Sequence, residues 1–501
     1  MPNNYGLRLV RLGIDTQQEF TVFMHSDCFI CKSEGFESLT QIIVTANHHS
    51  IIATLNVINS NILRKDEVSL SESAWKELGV KVGDSVNLTH LYPVTSLQYL
   101  RSKIHGNSLS AAEFFAIIQD IVAGKYSNIH LSSFVTACAN NLKVQEIIDL
   151  TRAMAKSGKQ ISWSYPIVVD KHSIGGLPGN RTTPIVVSIV AAAGLIIPKT
   201  SSRAITSPSG TADTMETMTS ISLSPKKIRL VIEKEGGCLI WGGALGISPA
   251  DDLLIRVERV LDLDPEGQMI ASVLSKKVAM GITHAVLDVP VGPTVKIRSE
   301  QAFLKLKEYF AIVGKAMGIE LTVIKSNGTQ PIGKGIGPAL EAKDILAVLQ
   351  NNQNVCLSEL KNKAILLAGT ILEMGKKAQL GKGEYLAKQL LESGAALKKF
   401  LAICEEQGGF KEPPSAILTY DIVATHEGQV SDIHNRQLAQ VAKLAGAPHD
   451  AASGIEFFAV LGTWVKPGDV LYRIHAESKG ALAYAVSYAR AMPHIVTLRR
   501  D

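Results

Sequence analysis

Asp170-Lys171-His172-Ser173-Ile174-Gly175-Gly176-Leu177-Pro178-Gly179-Asn180-Arg181-Thr182-Thr183 lies between two apolar runs. Before it, Ser164 to Asp170 reads as a strand. After it, Pro184 to Pro198 reads as a buried helix, too short for a membrane span, which needs roughly 20 residues. A glycine turn at a helix N-terminus offers free backbone N–H groups and the positive end of the helix dipole to an anion. Lys171 adds a point charge and Ser173 a hydroxyl donor. The glycine spacing is not that of a nucleotide-triphosphate P-loop, because no Gly-Lys-Ser/Thr ends it. The stretch therefore predicts an α/β domain built around an oxyanion site.

Beyond this stretch, strands and helices alternate to about residue 410. Ala285–Pro290 and Ile319–Ile324 are further strand candidates. Such alternation predicts a sheet flanked by helices. Residues 1–88 read as a β-rich module, with Gln41–Ala46 alternating as a strand and Gly83-Asp84 supplying a turn. From 95 to 160 the pattern is helical. Ser110 and Glu113 form a capping-box signature, and Phe114, Ile117, Ile118 and Ile121 fall on one face. After Pro413-Pro414 the pattern changes again. Ile417–Val423 predicts a strand, Asp432–Ala445 an amphipathic helix, and Gly462–Tyr472 a strand-turn-strand. The expected fold class is multidomain α/β. A β-rich N-terminal domain (1–88) precedes a helical domain (95–160 and 245–280). A large α/β domain with a central mixed sheet (161–244 and 281–410) and a C-terminal α+β domain (415–501) complete it.

The bulk composition sets limits. The 501 residues exceed one hydrophobic core. A net charge of +5, from 51 basic and 46 acidic side chains, does not suggest a nucleic-acid surface. Six cysteines make no disulfide framework at this length, and the N-terminus lacks a signal-peptide core. A cytoplasmic enzyme is expected, without nucleic-acid or membrane partners. His25, Cys28 and Cys31 have partial zinc spacing but no fourth ligand, so buried free thiols are expected and no metal. The Val465-Lys466-Pro467-Gly468-Asp469 turn is like that of biotin and lipoyl carriers, but no Met-Lys-Met follows. Gly328–Pro338 is a third glycine loop, closing over a ligand or turning a corner.

A second stretch, Lys199-Thr200-Ser201-Ser202-Arg203-Ala204-Ile205-Thr206-Ser207-Pro208-Ser209-Gly210-Thr211-Ala212-Asp213-Thr214-Met215-Glu216, is crowded with hydroxyls. Together the two stretches resemble the thymidine phosphorylase family. Its signatures are Asp-Lys-His-Ser-x-Gly-Gly and, further on, Ser-x-Arg…Gly-Thr-x-Asp-x-x-Glu. The resemblance runs from about residue 95 to the C-terminus. It is closest to the long form with an extra N-terminal domain, which includes AMP phosphorylases. It implies a pentosyltransferase that uses inorganic phosphate as co-substrate, needs no cofactor, and acts on a nucleoside or nucleotide. It also implies a homodimer or larger assembly paired through the helical domain, where the Phe114–Ile121 stripe is the candidate face.

The resemblance also implies site roles. Phosphate ligands fall on Lys171, Ser173, Thr183, Ser201 and Thr211, all able to donate to an oxyanion. His172 falls beside the base, with Ser272 and Lys276. Asp264 matches the long form's proton donor, and Lys296 another of its binding residues. Gly176, Ser202, Arg203, Ala204, Ile205, Thr206, Ser207 and Thr211 match nucleotide-binding positions. The candidate catalytic set is Asp264, His172 and Lys276. Phosphate would attack the anomeric carbon while positive charge develops on the sugar and the base departs.

The chain departs from short pyrimidine phosphorylases, which have glycines where it has Ser202 and Ser209. The hydroxyls at Ser202, Thr206 and Ser207 suit a 5′-phosphate. Thymidine, another pyrimidine nucleoside and a monophosphate such as AMP, CMP or UMP all stay open. So do a phosphoribosyltransferase of the same superfamily, since Ser209–Asp213 resembles anthranilate phosphoribosyltransferase, and a non-catalytic nucleotide-binding protein.

Overall fold

The computed structural model describes residues 6–17, 19–139, 142–204, 207–261, 263, 265–352 and 357–500. The chain divides into two compact units, Met1–Asn141 and Leu142–Asp501.

The first unit opens with a closed barrel of β1 (Leu7–Leu9), β2 (Thr21–His25), β3 (Gln41–Ala46), β4 (His49–Ile58), β5 (Glu67–Leu70) and β6 (Ser85–His90). β1 closes it, pairing parallel with β5 and antiparallel with β6. Inward residues such as Val22, Met24, Val44, Leu55 and Val68 are buried and form the barrel core. Helices Leu97–Ile104, Ala111–Val122 and Asn128–Ala139 complete the unit. Ser110 and Glu113 form the expected capping box. The Phe114–Ile121 stripe corrects one expectation. Phe114, Ile117 and Ile118 are 0% exposed within the single chain, so the stripe is buried and not an open dimer face. Cys28 and Cys31 are buried free thiols. His25 Nδ1 accepts from the Asp27 backbone N–H, and among the described residues no metal-ligand cluster forms.

The second unit is built on β7 (Val169–Ser173), β8 (Ile197–Ser201), β9 (Gly237–Trp241), β10 (His284–Val291) and β11 (Glu320–Asn327). The spatial order is β11-β10-β7, continuing through the Val168–Ile196 bridge to β8 and β9. These pairings are all parallel, which brings the strands' C-terminal ends to one edge. In open α/β sheets that edge is where ligands bind. The first strand starts later than Ser164, because pairing with β10 runs from Val169 to Ser173. Lys171, His172 and Ser173 therefore stand on a strand and not in the turn.

The apolar run after the glycine turn divides in two. Helix Thr182–Ala192 ends before Gly194 (φ 77°), and β8 follows. This helix is apolar all round because it is covered all round, by helices Ser358–Met374 and Ala395–Gln407 among others. On another side, helix Val144–Ser157 packs against Glu266–Ala279 through Ile147, Ile148, Ile270 and Leu274.

Within the second unit, antiparallel pairing begins with β12 (Gly335–Ile336). The C-terminal module holds β13 (Leu418–Val423), β14 (Gly428–Ile433), β15 (Gly454–Phe457), β16 (Trp464–Val465), β17 (Val470–Ala476) and β18 (Val496–Arg499). Its sheets run β12-β15-β17-β13 and β16-β14-β18. The helix expected from Asp432 begins at Asn435. Residues up to Ile433 are taken by β14, and the His434 side chain caps the helix by accepting from Gln437 N–H. The expected fold class stands: a β-rich N-terminal module, a helical part, a large α/β part and a C-terminal α+β part.

Candidate active site

Four charged or polar side chains follow one another on β7 as it reaches the ligand edge. Lys171 is fully buried. Its Nζ donates to Thr182 Oγ1 at 2.8 Å and Thr183 Oγ1 at 3.2 Å, in the first turn of helix Thr182–Ala192. Burial pushes this ammonium down to about 7; Asp288 opposes the shift, and Lys363, Lys199 and Arg181 add to it. An arriving anion would restore its charge.

Asp170 is buried between two lysines. Lys199 Nζ lies 3.3 Å away, and Lys277 Nζ donates to the other oxygen. Burial alone would raise the Asp170 pKa, but the two ammonium groups hold it below the usual carboxylate range. Lys277 itself is pushed down to about 8 by burial. This ion cluster anchors helix Glu266–Ala279 against β7. Neither Lys276 nor Lys277 lies on a solvated face: Lys276 pairs with buried Asp251 at 2.5 Å and reaches Ser272 Oγ at 3.4 Å.

His172 sits within this field of cations. Burial, then Lys277, Lys199, Lys276 and Lys171, hold its imidazole well below the ordinary range. It is neutral at pH 7. It offers a neutral N–H or a lone pair, not a mobile proton from an imidazolium.

Ser173 pairs in register with Asp288 on β10. Its hydroxyl donates to Asp288 Oδ2 at 2.8 Å and accepts from Asn180 Nδ2 at 2.9 Å. Asp288 is fully buried, accepts from Asn180 Nδ2 at 3.1 Å and Ser326 Oγ at 2.6 Å, and forms an ion pair with Lys363, whose Nζ lies 2.9 Å away. Ser201 likewise sends its proton inward, to the Ile240 carbonyl at 3.0 Å. Of the five expected phosphate-site side chains, Ser173 and Ser201 thus spend their hydroxyl protons on partners within the protein.

The glycine loop is shaped by contact. Gly176 (φ 84°) lies so close to Lys296 that a Cβ would stand 3.0 Å from its backbone N. A Cβ on Gly179 would meet the Ile332 carbonyl at 2.3 Å. The third glycine loop thus packs behind the first, and Ile332 N–H donates to the Pro178 carbonyl.

The second signature folds over its own carboxylate. Asp213 accepts from the backbone N–H of Ala204 at 2.7 Å and of Gly210 at 2.8 Å, holding both at the start of helix Thr211–Glu216. Arg203 pairs with Asp213 and Glu216 and lies over the Trp241 ring at 4.9 Å, so its charge is answered within the protein. Ser207 Oγ donates to the Ser209 carbonyl at 2.8 Å. Arg181 bonds the Ser209 carbonyl and pairs with buried Glu341, tying the glycine loop to this second loop. Beside it opens a cleft of about 330 Å³, lined in part by Arg203, Ser207, Arg259, Lys443 and His449. The expected residues Ile205, Thr206 and Asp264 lie outside the described residues.

Asp288, Asn180, Lys363, Arg181 and Glu341 are not among the residues expected from the sequence. For Asp288 a signal existed: a lone carboxylate inside the apolar run Ala285–Pro290 must find buried donors. Lys363 and Glu341 look like ordinary helix-surface residues in sequence.

Comparison with known proteins agrees with this geometry. Residues 97–158 match a glycosyl transferase family helical bundle domain, and 165–397 that family's a/b domain. Residues 429–495 match a pyrimidine nucleoside phosphorylase C-terminal domain. A Legionella pneumophila (strain Corby) protein named "Putative thymidine phosphorylase" is 52% identical over 495 residues, 99% of this chain and 96% of that protein. A Polaromonas protein of the same name is 49% identical over 496 residues, 99% and 97% of the two chains. Among solved structures, anthranilate phosphoribosyltransferase from Thermus thermophilus shares the fold at TM-score 0.52 and 19% identity, over 62% of this chain and 98% of that one. The buried lysine at a parallel-sheet edge and the full-length similarity place this chain in the thymidine phosphorylase family of glycosyl transferases.

Proposed function

We propose that this protein cleaves the N-glycosidic bond of a pyrimidine nucleoside or its 5′-monophosphate with inorganic phosphate. The products are the free base and the pentose 1-phosphate. The observation that carries this reading is buried Lys171, held by two threonines at the head of a helix and lowered to about 7. Such a group gains its proton when a dianion arrives, so binding and charging support one another.

In the reaction, a phosphate oxygen forms a bond to the anomeric carbon as the carbon–nitrogen bond breaks. The bonding electrons leave on the base. Lys171, Thr183 and Thr211 hold the phosphate in line, and the fixed donors lose no reorganisation energy as charge moves. Lys276, oriented by Asp251, meets the charge on the departing base, with neutral His172 as a hydrogen-bonding neighbour. Asp264 is proposed as the proton donor on the resemblance alone.

The cleft beside Ser207 favours the monophosphate as a second substrate. Arg259 and Lys443 stand around it, where a 5′-phosphate next to Ser207 would find cations, and His449 completes that side of the cleft. One assay decides both points: base release from thymidine, uridine, AMP, CMP and UMP, with phosphate, with pyrophosphate, or with neither. Phosphate-dependent release supports the reading. Release that needs pyrophosphate would make the protein a phosphoribosyltransferase.

A further inference from the structure

The hydrogen-bond inventory of Ser173 is nearly used up before any ligand arrives. A serine hydroxyl has one proton and two lone pairs. Its proton goes to Asp288, at 2.8 Å. One lone pair takes the Asn180 amide N–H, at 2.9 Å. Only a lone pair is left to face a ligand.

Asp288 makes this assignment firm. Its two oxygens accept from Ser173, Asn180 and Ser326 and form an ion pair with Lys363. Burial works to raise its pKa, but Lys363 and Lys171 and the Ser326 and Asn180 hydrogen bonds hold it below the ordinary range. An ionised carboxylate only accepts, so the Ser173 hydroxyl must donate to it. The Asn180 amide is fixed in the same way. Turned over, its oxygen would face the Asp288 carboxylate. In the favoured orientation its Oδ1 is buried and has no partner among the described residues.

Beside Lys171, then, stand two spare acceptors, on Ser173 and Asn180. A cation flanked by acceptors suits an anion that itself carries an O–H. Monohydrogen phosphate has one throughout the neutral range; sulfate, of similar shape and charge, has none.

We propose that Ser173 meets phosphate as an acceptor of its O–H, and that Asp288, by claiming the serine proton, makes the site select a protonated oxyanion over sulfate. Asp288 is thus a positioning residue for oxyanion specificity. The proposal rests on the phosphorylase reading, since it needs phosphate beside Lys171.

The test measures binding of inorganic phosphate, arsenate, sulfate and monofluorophosphate to the wild-type protein by calorimetry, and their competition with phosphate in turnover. Arsenate, which keeps an O–H, should bind like phosphate. Sulfate and monofluorophosphate, both without one, should bind roughly a hundredfold more weakly. In Ser173→Ala the phosphate KM should rise and the gap to sulfate should narrow by about tenfold. Sulfate binding to the wild type as tightly as phosphate, with turnover still phosphate-dependent, overturns the proposal and spares the phosphorylase. Turnover without any need for phosphate overturns both. The wild-type comparison needs no substitution, so the proposal stays refutable even where the variant folds poorly.

Discussion

Arg181 and Glu341 form a buried ion pair, their side chains 13% and 1% exposed, that joins the two halves of the candidate site. Arg181 also holds the Ser209 carbonyl, and Glu341 accepts from Thr214 Oγ1 at 3.1 Å and from Gly337 N–H at 3.3 Å. One pair therefore fixes the glycine loop, the hydroxyl-rich loop and the start of helix Pro338–Leu349.

Breaking this pair from either side should cost about 3–5 kcal/mol, because a buried charge is left without its partner. The two variants should differ with pH. Burial already holds the Glu341 carboxyl above its ordinary range, and Arg181 opposes that shift. In Arg181→Ala the folded state binds a proton there that the unfolded state has released, so stability falls as pH rises above the unfolded value. In Glu341→Gln the stranded group is a guanidinium that does not titrate, and no such slope appears. Urea unfolding at pH 5 and pH 8 separates them. Equal slopes would show that the pair is not coupled as described.

Lys171→Ala should lower kcat/KM for phosphate by about 2–4 kcal/mol, roughly 30- to 900-fold, through loss of a charged hydrogen bond in a dry site. Turnover at the wild-type rate would remove Lys171 from the phosphate site.

Phosphate should stabilise the protein less as pH rises from 7 to 9. In the empty folded protein Lys171 is lowered to about 7 from 10.5. The unfolded chain thus binds more protons across that window, and stability of the empty form rises with pH. Bound phosphate restores the ammonium and removes that gain. At a hundred times Kd the ligand adds about 2.7 kcal/mol, so the change is readable as a shrinking rise in Tm. A constant phosphate-induced shift across these pH values would contradict the depressed lysine.

If a 5′-phosphate binds near Ser207, replacing Thr206 and Ser207 together with Ala should lower kcat/KM on the monophosphate about tenfold or more per lost contact. The nucleoside should be nearly untouched. Equal losses on both substrates would make this loop a scaffold for the phosphate site alone.

The protein is expected to be a homodimer, though not through the Phe114–Ile121 stripe. Ile104, Phe115 and Ile129 project from the same three helices at 52%, 42% and 72% exposure. Light scattering should give about twice 53.9 kDa, and Ile129→Glu should lower it. A wild-type mass of one chain refutes the assembly.

In the sequence β7 and its glycine turn are legible because a strand, a turn and a helix there each carry their own local signal. Phe114, Ile117, Ile118 and Ile121 show as one apolar face, but periodicity cannot say what covers a face. Ser173 stands out beside Lys171, yet nothing local shows that it is not a donor. Its proton is claimed by Asp288, which lies 115 residues away in the chain and meets it only across a parallel strand pair. Long-range pairing of this kind leaves no trace in spacing.

The two-residue strand β12 has a mechanical consequence. Gly335 and Ile336 pair with Glu456 and Ile455 of β15, and Lys334 O accepts from Phe457 N–H at 2.8 Å. Leu461 N–H donates to Gln330, and Asn435 to the Gly328 carbonyl. The C-terminal module is thereby stitched to the segment that backs Gly179 behind the phosphate loop. Cutting the chain at Pro413-Pro414, where composition marks a natural seam, would unclamp the wall that gives that loop its curvature. The module that looks most detachable in the sequence is a brace for the chemistry.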